Sequence, residues 1–436
     1  MQKGIFVVTS ASSTLPATSG LSRKALARAV GAATIGNALE WFDWSTYSAF
    51  AAIFSLQIFG GHGGSALLSA LAVFGVGFLM RPLGGALIGA FADRHGRRSA
   101  LVLSVVLMAA GSLLVGITPT FAQAGMWAPA VLTLARLIQG LSVGGDYGAS
   151  PIFLSEIAPP RHRGLVSSLH YVSLTFGLLA ASLLGWILSA VLTRHELATW
   201  GWRIPFLLGA AAALWGLYLR SSVQESALFV QARSQERPKD VPSARRTPAL
   251  ILRVIGMTSL GSIAFWTITS YLPNSAVHVL SAGSVFAASS WALLIFLALQ
   301  PAVGWLSDRI GRKPLLISYS AGFLILGYPL VAGVRIGSAG TLFWVMLLGL
   351  IVFSGYSAIS AAFLAEQFPT KTRSTGVGIA HNVSSALFGG TAPYLLAKLD
   401  QSGDTAWFAG YVMAAAVVSG VLFLRIPEAR GKALDS

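Results

Sequence analysis

The chain has 436 residues, 55% of them hydrophobic and only 10% charged, against about 25% charged in a soluble domain. That balance sets aside a soluble globular enzyme and points to helices in lipid. Thirty Lys and Arg against 15 Asp and Glu leave a net charge of +15, and with no cysteine present, disulfides and thiolate metal sites are excluded.

Residues 1–30 read as a polar tail. Thr9 to Ser22 is rich in Ser and Thr, and the apolar run Ile5–Val8 is too short for the core of a signal peptide. Twelve apolar segments follow, at 31–54, 66–92, 99–118, 129–155, 164–190, 203–220, 250–274, 285–307, 314–333, 341–366, 374–397 and 405–425. Each is near the roughly 20 residues that cross a bilayer. The runs are continuous rather than alternating, which excludes the strands of a barrel.

Span one carries a polar stripe. Glu40 and Asp43 are three apart, and Asn37 and Tyr47 extend the same helix face. Embedded acids cost about 2.5–3.5 kcal/mol on insertion scales, so such a stripe faces protein or water. Either the two acids take up protons, or they form fixed ion pairs with Arg81 of span two or Arg136 of span four. On span four, Gln139 nearly eclipses Asp146, and Arg136 nearly eclipses Tyr147. A buried Arg136 either attracts an anion through charge-assisted hydrogen bonds or neutralises Glu40 and Asp43. Gly140, Gly144 and Gly148 recur every four residues, a pattern for close helix approach.

The polar stretch 221–249 separates six spans from six and reads as a cytoplasmic linker between bundles 31–220 and 250–425, with a short tail over 426–436. The two halves repeat each other. Gly89, Asp93, Arg94, Gly96 and Arg97 return as Gly304, Asp308, Arg309, Gly311 and Arg312. Glu156 and Arg163 return as Glu366 and Arg373 at the same spacing, and His170, Tyr171 and Ser173 return as His381, Asn382 and Ser384. Such duplication predicts an all-α membrane fold of two pseudo-symmetric six-helix bundles. The doubled charged hairpins, with both Glu–Arg pairs, are candidates for a gate of ion pairs on the cytoplasmic side. Most Lys and Arg, among them Arg23, Lys24, Arg161, Arg245 and Arg430, fall in tails and even-numbered hairpins. That bias places both termini in the cytoplasm and assigns the basic excess to topology rather than nucleic acid.

Apart from Glu366 at the very end of 341–366, the spans of the second half hold no acid. They offer Trp266, Tyr271, Asn274, Gln300, Tyr356, His381 and Asn382, groups that orient a small polar solute. His170 and Tyr171 add to the candidate contacts from the first half, with Tyr47, Arg136, Gln139 and Tyr147. No nucleophile triad, nucleotide fingerprint or metal-ligand spacing is present, so neither enzyme chemistry nor a cofactor is expected.

The doubled hairpin resembles the loop signature of the major facilitator superfamily. Gly36, Asn37, Glu40, Trp41, Phe42 and Asp43 are similar to the first-helix phrase of its metabolite:proton symporters. So are Arg81-Pro82, Gly144 to Gly148, Gly201 to Phe206, and Asn382 to Pro393. The resemblance spans about 30–425. It implies a carrier of citrate, 2-oxoglutarate, other dicarboxylates, shikimate, aromatic acids, or proline and betaine. Asp146 stands where members usually have Glu, and His170-Tyr171 and His381 also depart from the common pattern.

Together these readings predict a monomeric, proton-coupled symporter in the bacterial inner membrane, importing a small organic acid by alternating access. Glu40, Asp43 and Asp146 are the candidate proton sites and Arg81 a charge relay between them and the substrate. Uptake of a zwitterion such as proline or betaine, drug export against protons, and a transport-dead sensor are the competing readings.

Overall fold

The computed structural model describes residues 23–61, 63–95, 97–144, 150–221, 247–333, 336–369, 373–432 and 434. Six helical spans precede residue 222 and six follow residue 246. In chain order the first six are Arg23–Phe59, Gly63–His95, Arg97–Ile117, Trp127–Gly144 continued by Ser150–Ile157, Arg163–Val191, and Ile204–Ser221. The second six are Thr247–Ala276, Ala282–Ile310, Arg312–Gly333, Ala339–Ala365, Arg373–Gln401 and Thr405–Leu424. They are called spans one to twelve below.

Seven described helices are long and apolar enough to cross a membrane unaided, in spans two, five, seven, eight, nine, ten and twelve. Spans three and six hold shorter apolar helices, Val102–Ile117 and Gly201–Leu214. Spans one, four and eleven are less apolar because they carry the polar side chains: Glu40 and Asp43, Arg136 and Gln139, His381 and Asn382. The membrane therefore tolerates them only with that chemistry turned inward.

Among the described residues, three spans contain a π turn. Span seven winds into a π turn at Thr267–Tyr271 before Pro273, span eleven at Ser385–Gly389 before Pro393, and span nine begins one at Pro329. A proline lacks the N–H that closes a helical rung, and a wider turn beside it absorbs the mismatch.

Two seams join the halves. Spans five and eight pack along their length, and span two lies against span eleven. Small residues set these distances. A Cβ at Gly164 would meet the Gly304 carbonyl and the Asp308 carboxylate, and a Cβ at Gly75 would meet the Gly390 carbonyl. Within the first half, span two crosses span four so closely that a Cβ at Gly140 or Gly144 would strike the carbonyl oxygens of Gly77 or Arg81. Gly148 lies outside the described residues.

Both ends of the seams are bridged. At the end bearing the duplicated hairpins, the Asp308 carboxylate accepts from the backbone N–H groups of Gly164 at 2.8 Å and Leu165 at 2.9 Å. At the opposite end the Asn274 carboxamide of span seven grips span one, donating to Ser48 O at 2.6 Å and accepting from Ala52 N–H at 3.0 Å. Gln401 donates to Gly64 O at 3.0 Å, and the Phe50 and Phe286 rings meet at 5.0 Å. This is a conformation closed at both ends.

After span twelve the chain folds back under the hairpin end. Glu428 accepts from the N–H groups of Arg312 and Lys313, at 3.0 and 2.9 Å, and so caps span nine. Lys432 O accepts from Arg163 at 3.0 Å and Leu434 O from Arg373 at 3.2 Å. Partial burial would raise the Glu428 carboxyl, but bonds from the backbone of Arg312, Lys313 and Arg430 outweigh it and hold it below its ordinary value. The cap therefore contributes in full above the ordinary carboxyl pKa and is lost as pH falls through the depressed one.

Two outcomes follow. Gly144→Leu places side-chain atoms against backbone that has no rotamer to yield, so it costs at least the 1–3 kcal/mol of ordinary overpacking; its yield of folded protein on size exclusion falls sharply, while Gly410→Leu, where a Cβ meets nothing within 4 Å, is tolerated. Glu428→Gln removes a cap worth about 1 kcal/mol and speeds amide exchange at the start of span nine roughly fivefold at neutral pH, read by hydrogen-exchange mass spectrometry.

Candidate functional site

Span one turns Asp43 away from the seams and into the first bundle, toward spans three, four and six. Asp43 is 3% exposed and Arg136 is fully buried. Gln139 stands between them. Its carboxamide oxygen accepts from Arg136 Nη1 at 2.6 Å, and its nitrogen donates to Asp43 Oδ2 at 2.6 Å. Arg136 Nη1 is 4.0 Å from the same carboxylate oxygen. Ser112 of span three donates to Asp43 Oδ1 and accepts from Gln139 at 3.2 Å. The i, i+3 spacing of Arg136 and Gln139 on one helix face makes this chain of contacts possible.

The guanidinium of Arg136 faces the centre of the molecule. Its Cζ lies 3.9 Å from the Trp44 ring centroid and 4.4 Å from that of Tyr47. Arg81 covers the same indole at 4.2 Å and the Phe78 ring at 4.0 Å. Two cations thus share one tryptophan, in a low-dielectric setting where cation–π attraction reaches about 2 kcal/mol. Among the described residues, Arg136 Nε and Nη2 have no hydrogen-bond partner. The Tyr47 hydroxyl is not available to them, because it donates to Ala70 O at 2.9 Å.

Between the halves, rings fill the centre. Trp266 of span seven stacks on Trp41 at 5.9 Å and meets Phe74 and Phe78 edge-on at 4.9 and 5.3 Å. The guanidinium pair therefore sits directly behind an aromatic wall that the two halves build jointly.

The other predicted residues divide by position. Glu40 is half-buried on span one. Asp146 and Tyr147 lie outside the described residues. Asn382 is buried and donates across the seam to Gly144 O at 3.0 Å. His170 and His381 are buried, and His381 lies within electrostatic reach of both Arg81 and His170. Tyr171 meets Phe265 and Phe353 at the seam. Tyr356 is buried, stacked on Tyr319 at 5.3 Å and 6.0 Å from the Phe353 ring. Tyr271 and Asn274 belong to the closed end opposite the hairpins.

At the hairpin end the repeated Glu–Arg motifs exchange partners. Glu156 pairs with Arg373 at 2.7 Å, and Glu366 with Arg163 at 3.4 Å, so each bond crosses the halves. Arg312 joins Asp308 at 3.1 Å and Glu366 at 3.6 Å. Arg94 and Arg309 are exposed, and the side chains of Asp93 and Arg97 lie outside the described residues. Reading the sequence missed Ser112, which is one serine in an apolar run, and the aromatic wall, although Trp41 lies inside the span-one motif. It also missed the tail, whose Glu428 follows Pro427 without any periodic signal.

Residues 29–250 and 251–436 each match the family described as sugar (and other) transporter. The alpha-ketoglutarate permease of Escherichia coli K12 is 37% identical over 96% of this chain and 97% of its own length. A glycine betaine/proline/ectoine/pipecolic acid transporter of Dickeya dadantii is 31% identical over 91% and 82%, and a citrate-proton symporter of Klebsiella pneumoniae 31% identical over 89% of each. Among solved structures, the major facilitator superfamily proton:xylose symporter XylE superposes with a TM-score of 0.76 at 19% identity, over 93% of this chain and 97% of that one. The fold of two six-helix halves and these matches over nearly the whole chain agree: the protein is a multi-pass membrane transporter of the major facilitator superfamily, in its sugar (and other) transporter family.

Proposed function

We propose that this transporter couples entry of protons to uptake of a small organic acid, of the mono-, di- or tricarboxylate or aromatic class. The reading is carried by the Asp43–Gln139–Arg136 chain, which ties a buried carboxylate to a guanidinium behind the central aromatic wall. With Asp43 ionised, Asp43, Arg81 and Arg136 sum to one positive charge; with Asp43 protonated they sum to two. A proton on Asp43 thus strengthens the site for an anion, and by reciprocity a bound anion strengthens the site for the proton. Protonation also removes the charge that holds Arg136, whose Nε and Nη2 then serve a carboxylate in the bidentate geometry that guanidinium favours.

Glu40 and Asp146 extend the proton site along spans one and four. His170, Tyr171, Trp266, His381 and Asn382 orient the solute, and Tyr271, Asn274 and Tyr356 contribute as the opposite end opens. Residues 31–220 and 250–425 rock as two bodies joined by 221–249. The hairpin end faces the cytoplasm with both termini, in a bacterial inner membrane, and the carrier works as a monomer. Its crossed pairs, Glu156–Arg373 and Glu366–Arg163, are the inner gate, with Asp308 and Arg312; Asp93, Arg94, Arg97 and Arg309 join it on the strength of the repeated hairpin motif alone.

The permease and citrate relatives support the acid class, while the betaine and proline relatives favour a zwitterion. The aromatic faces support the acid class on physical grounds. A quaternary ammonium wants an open aromatic cage, and here the Trp44 faces are already covered by Arg81 and Arg136.

In proteoliposomes, Asp43→Asn abolishes accumulation driven by a pH gradient and spares counterflow at equal pH; uphill uptake at the wild-type level would refute the coupling. Lowering the outside pH lowers KM in the parent protein, and the same variant flattens that dependence. A thermal-shift screen on purified protein gives a rise with di- or tricarboxylates of a few degrees and none with betaine. Arg136→Lys, which keeps the charge but loses the fork, weakens the carboxylate response by about tenfold or more in affinity. A betaine response without a carboxylate one would reverse the substrate class.

A further inference from the structure

At the hairpin end a cleft of about 750 Å³ opens where both halves and the tail meet. Its lining includes Arg161 and His162 from the turn before span five, Trp305, Asp308 and Arg309 from span eight, and Arg430 from the tail. The volume lies within the usual range for a small-molecule site, yet it is distant from the relay on spans one and four.

The charge in this cleft is uncompensated. Asp308 is the one acid in the lining, and both its oxygens are already engaged, by the N–H groups of Gly164 and Leu165 and by Arg312. Among the described residues, Arg161, Arg309 and Arg430 pair with no carboxylate. One guanidinium is held in place and the backbone of a second is anchored. Arg309 lies over the Trp305 indole, Cζ to centroid 3.9 Å. The Arg430 backbone donates to Glu428 at 3.0 Å, the carboxylate that also caps span nine.

The position identifies the occupant. Trp305, Leu306 and Ile310 are exposed on span eight, so the cleft borders the face that lipid chains cover. A tryptophan there is at headgroup level, and guanidinium groups recognise phosphate oxygens in bidentate fashion. We propose that this cleft binds a phosphate group, and that the phosphate is the headgroup of an anionic phospholipid from the adjoining leaflet. Bound there, it links Arg161 of the first half, Arg309 of the second and Arg430 of the tail. A ligand that prefers this arrangement shifts the population toward the conformation closed at the hairpin end.

The test uses full-length protein in neutral detergent, with thermal unfolding followed by intrinsic fluorescence. Phosphatidylglycerol, phosphatidylcholine and sodium phosphate are compared at equal ionic strength. Phosphatidylglycerol raises Tm by about 3 °C or more over phosphatidylcholine, as saturation of a site specific to the folded form requires. The combined change Arg309→Gln with Arg430→Gln removes the difference, and Arg161→Gln, on the other half, removes most of it. Arg194→Gln, remote in sequence from the cleft, retains it. A variant-sensitive rise with inorganic phosphate alone supports the phosphate site and overturns its assignment to lipid. Equal responses to the two lipids with none to phosphate, or an undiminished response in the double variant, overturn the proposal.

Discussion

A carboxylate and a guanidinium at hydrocarbon depth, separated by one amide, govern the arrangement of this molecule. Removing two such ions from water costs several kcal/mol each, and their attraction offsets that only with good geometry and full hydrogen bonding. Here the charges stand 4.0 Å apart and share Gln139, which accepts from one and donates to the other. Spans one, three and four must approach within contact of that chain, and the glycines of spans two and four allow the bundle to tighten around it. Trp44 and Tyr47 then supply π faces where further hydrogen bonds are lacking. Geometry and π contact together keep both ions buried.

The two closures draw on different chemistry. The hairpin end is held by carboxylates and guanidiniums that cross between halves, supplemented by the returning tail. The opposite end is held by two carboxamides and a pair of phenyl rings. The Glu156 carboxylate is 42% exposed, so its bond to Arg373 weakens with salt, whereas the nearly buried Glu366 pairs, the amide-to-backbone bonds and the ring contacts depend on ionic strength far less. A carrier with one ionic and one neutral closure can respond to the ionic composition of a single compartment.

Much of this was legible in the sequence. Hydrocarbon thickness dictates span length, so the twelve segments agree with the observed helices to within a few residues at most ends. Arg136, Gln139 and Asp43 stood out because charge at that depth is expensive, and the spacing put Arg136 and Gln139 on one face. Partner choice at the hairpin end could not be read. Glu156 precedes Arg163 as Glu366 precedes Arg373, so local spacing suggests pairs within a half, whereas the packing of span five on span eight exchanges them. Ser112 was invisible for another reason: a lone hydroxyl in a transmembrane helix can satisfy itself on its own backbone, and its partner is assigned only by tertiary approach. The π turns in spans seven, nine and eleven depend on how neighbouring helices accommodate a proline, which composition alone leaves open.

The grip of Asn274 on span one has a thermodynamic corollary. Ser48 O and Ala52 N–H are the two groups that an α-helix joins to each other as one rung of its own ladder. When the carboxamide withdraws, those two groups still face each other along the continuous helix of span one, and no main-chain group is stranded in hydrocarbon. Unlatching therefore leaves the ladder of span one satisfied. A reversible clasp between two rigid bodies in a medium that punishes bare amides can be built in few other ways.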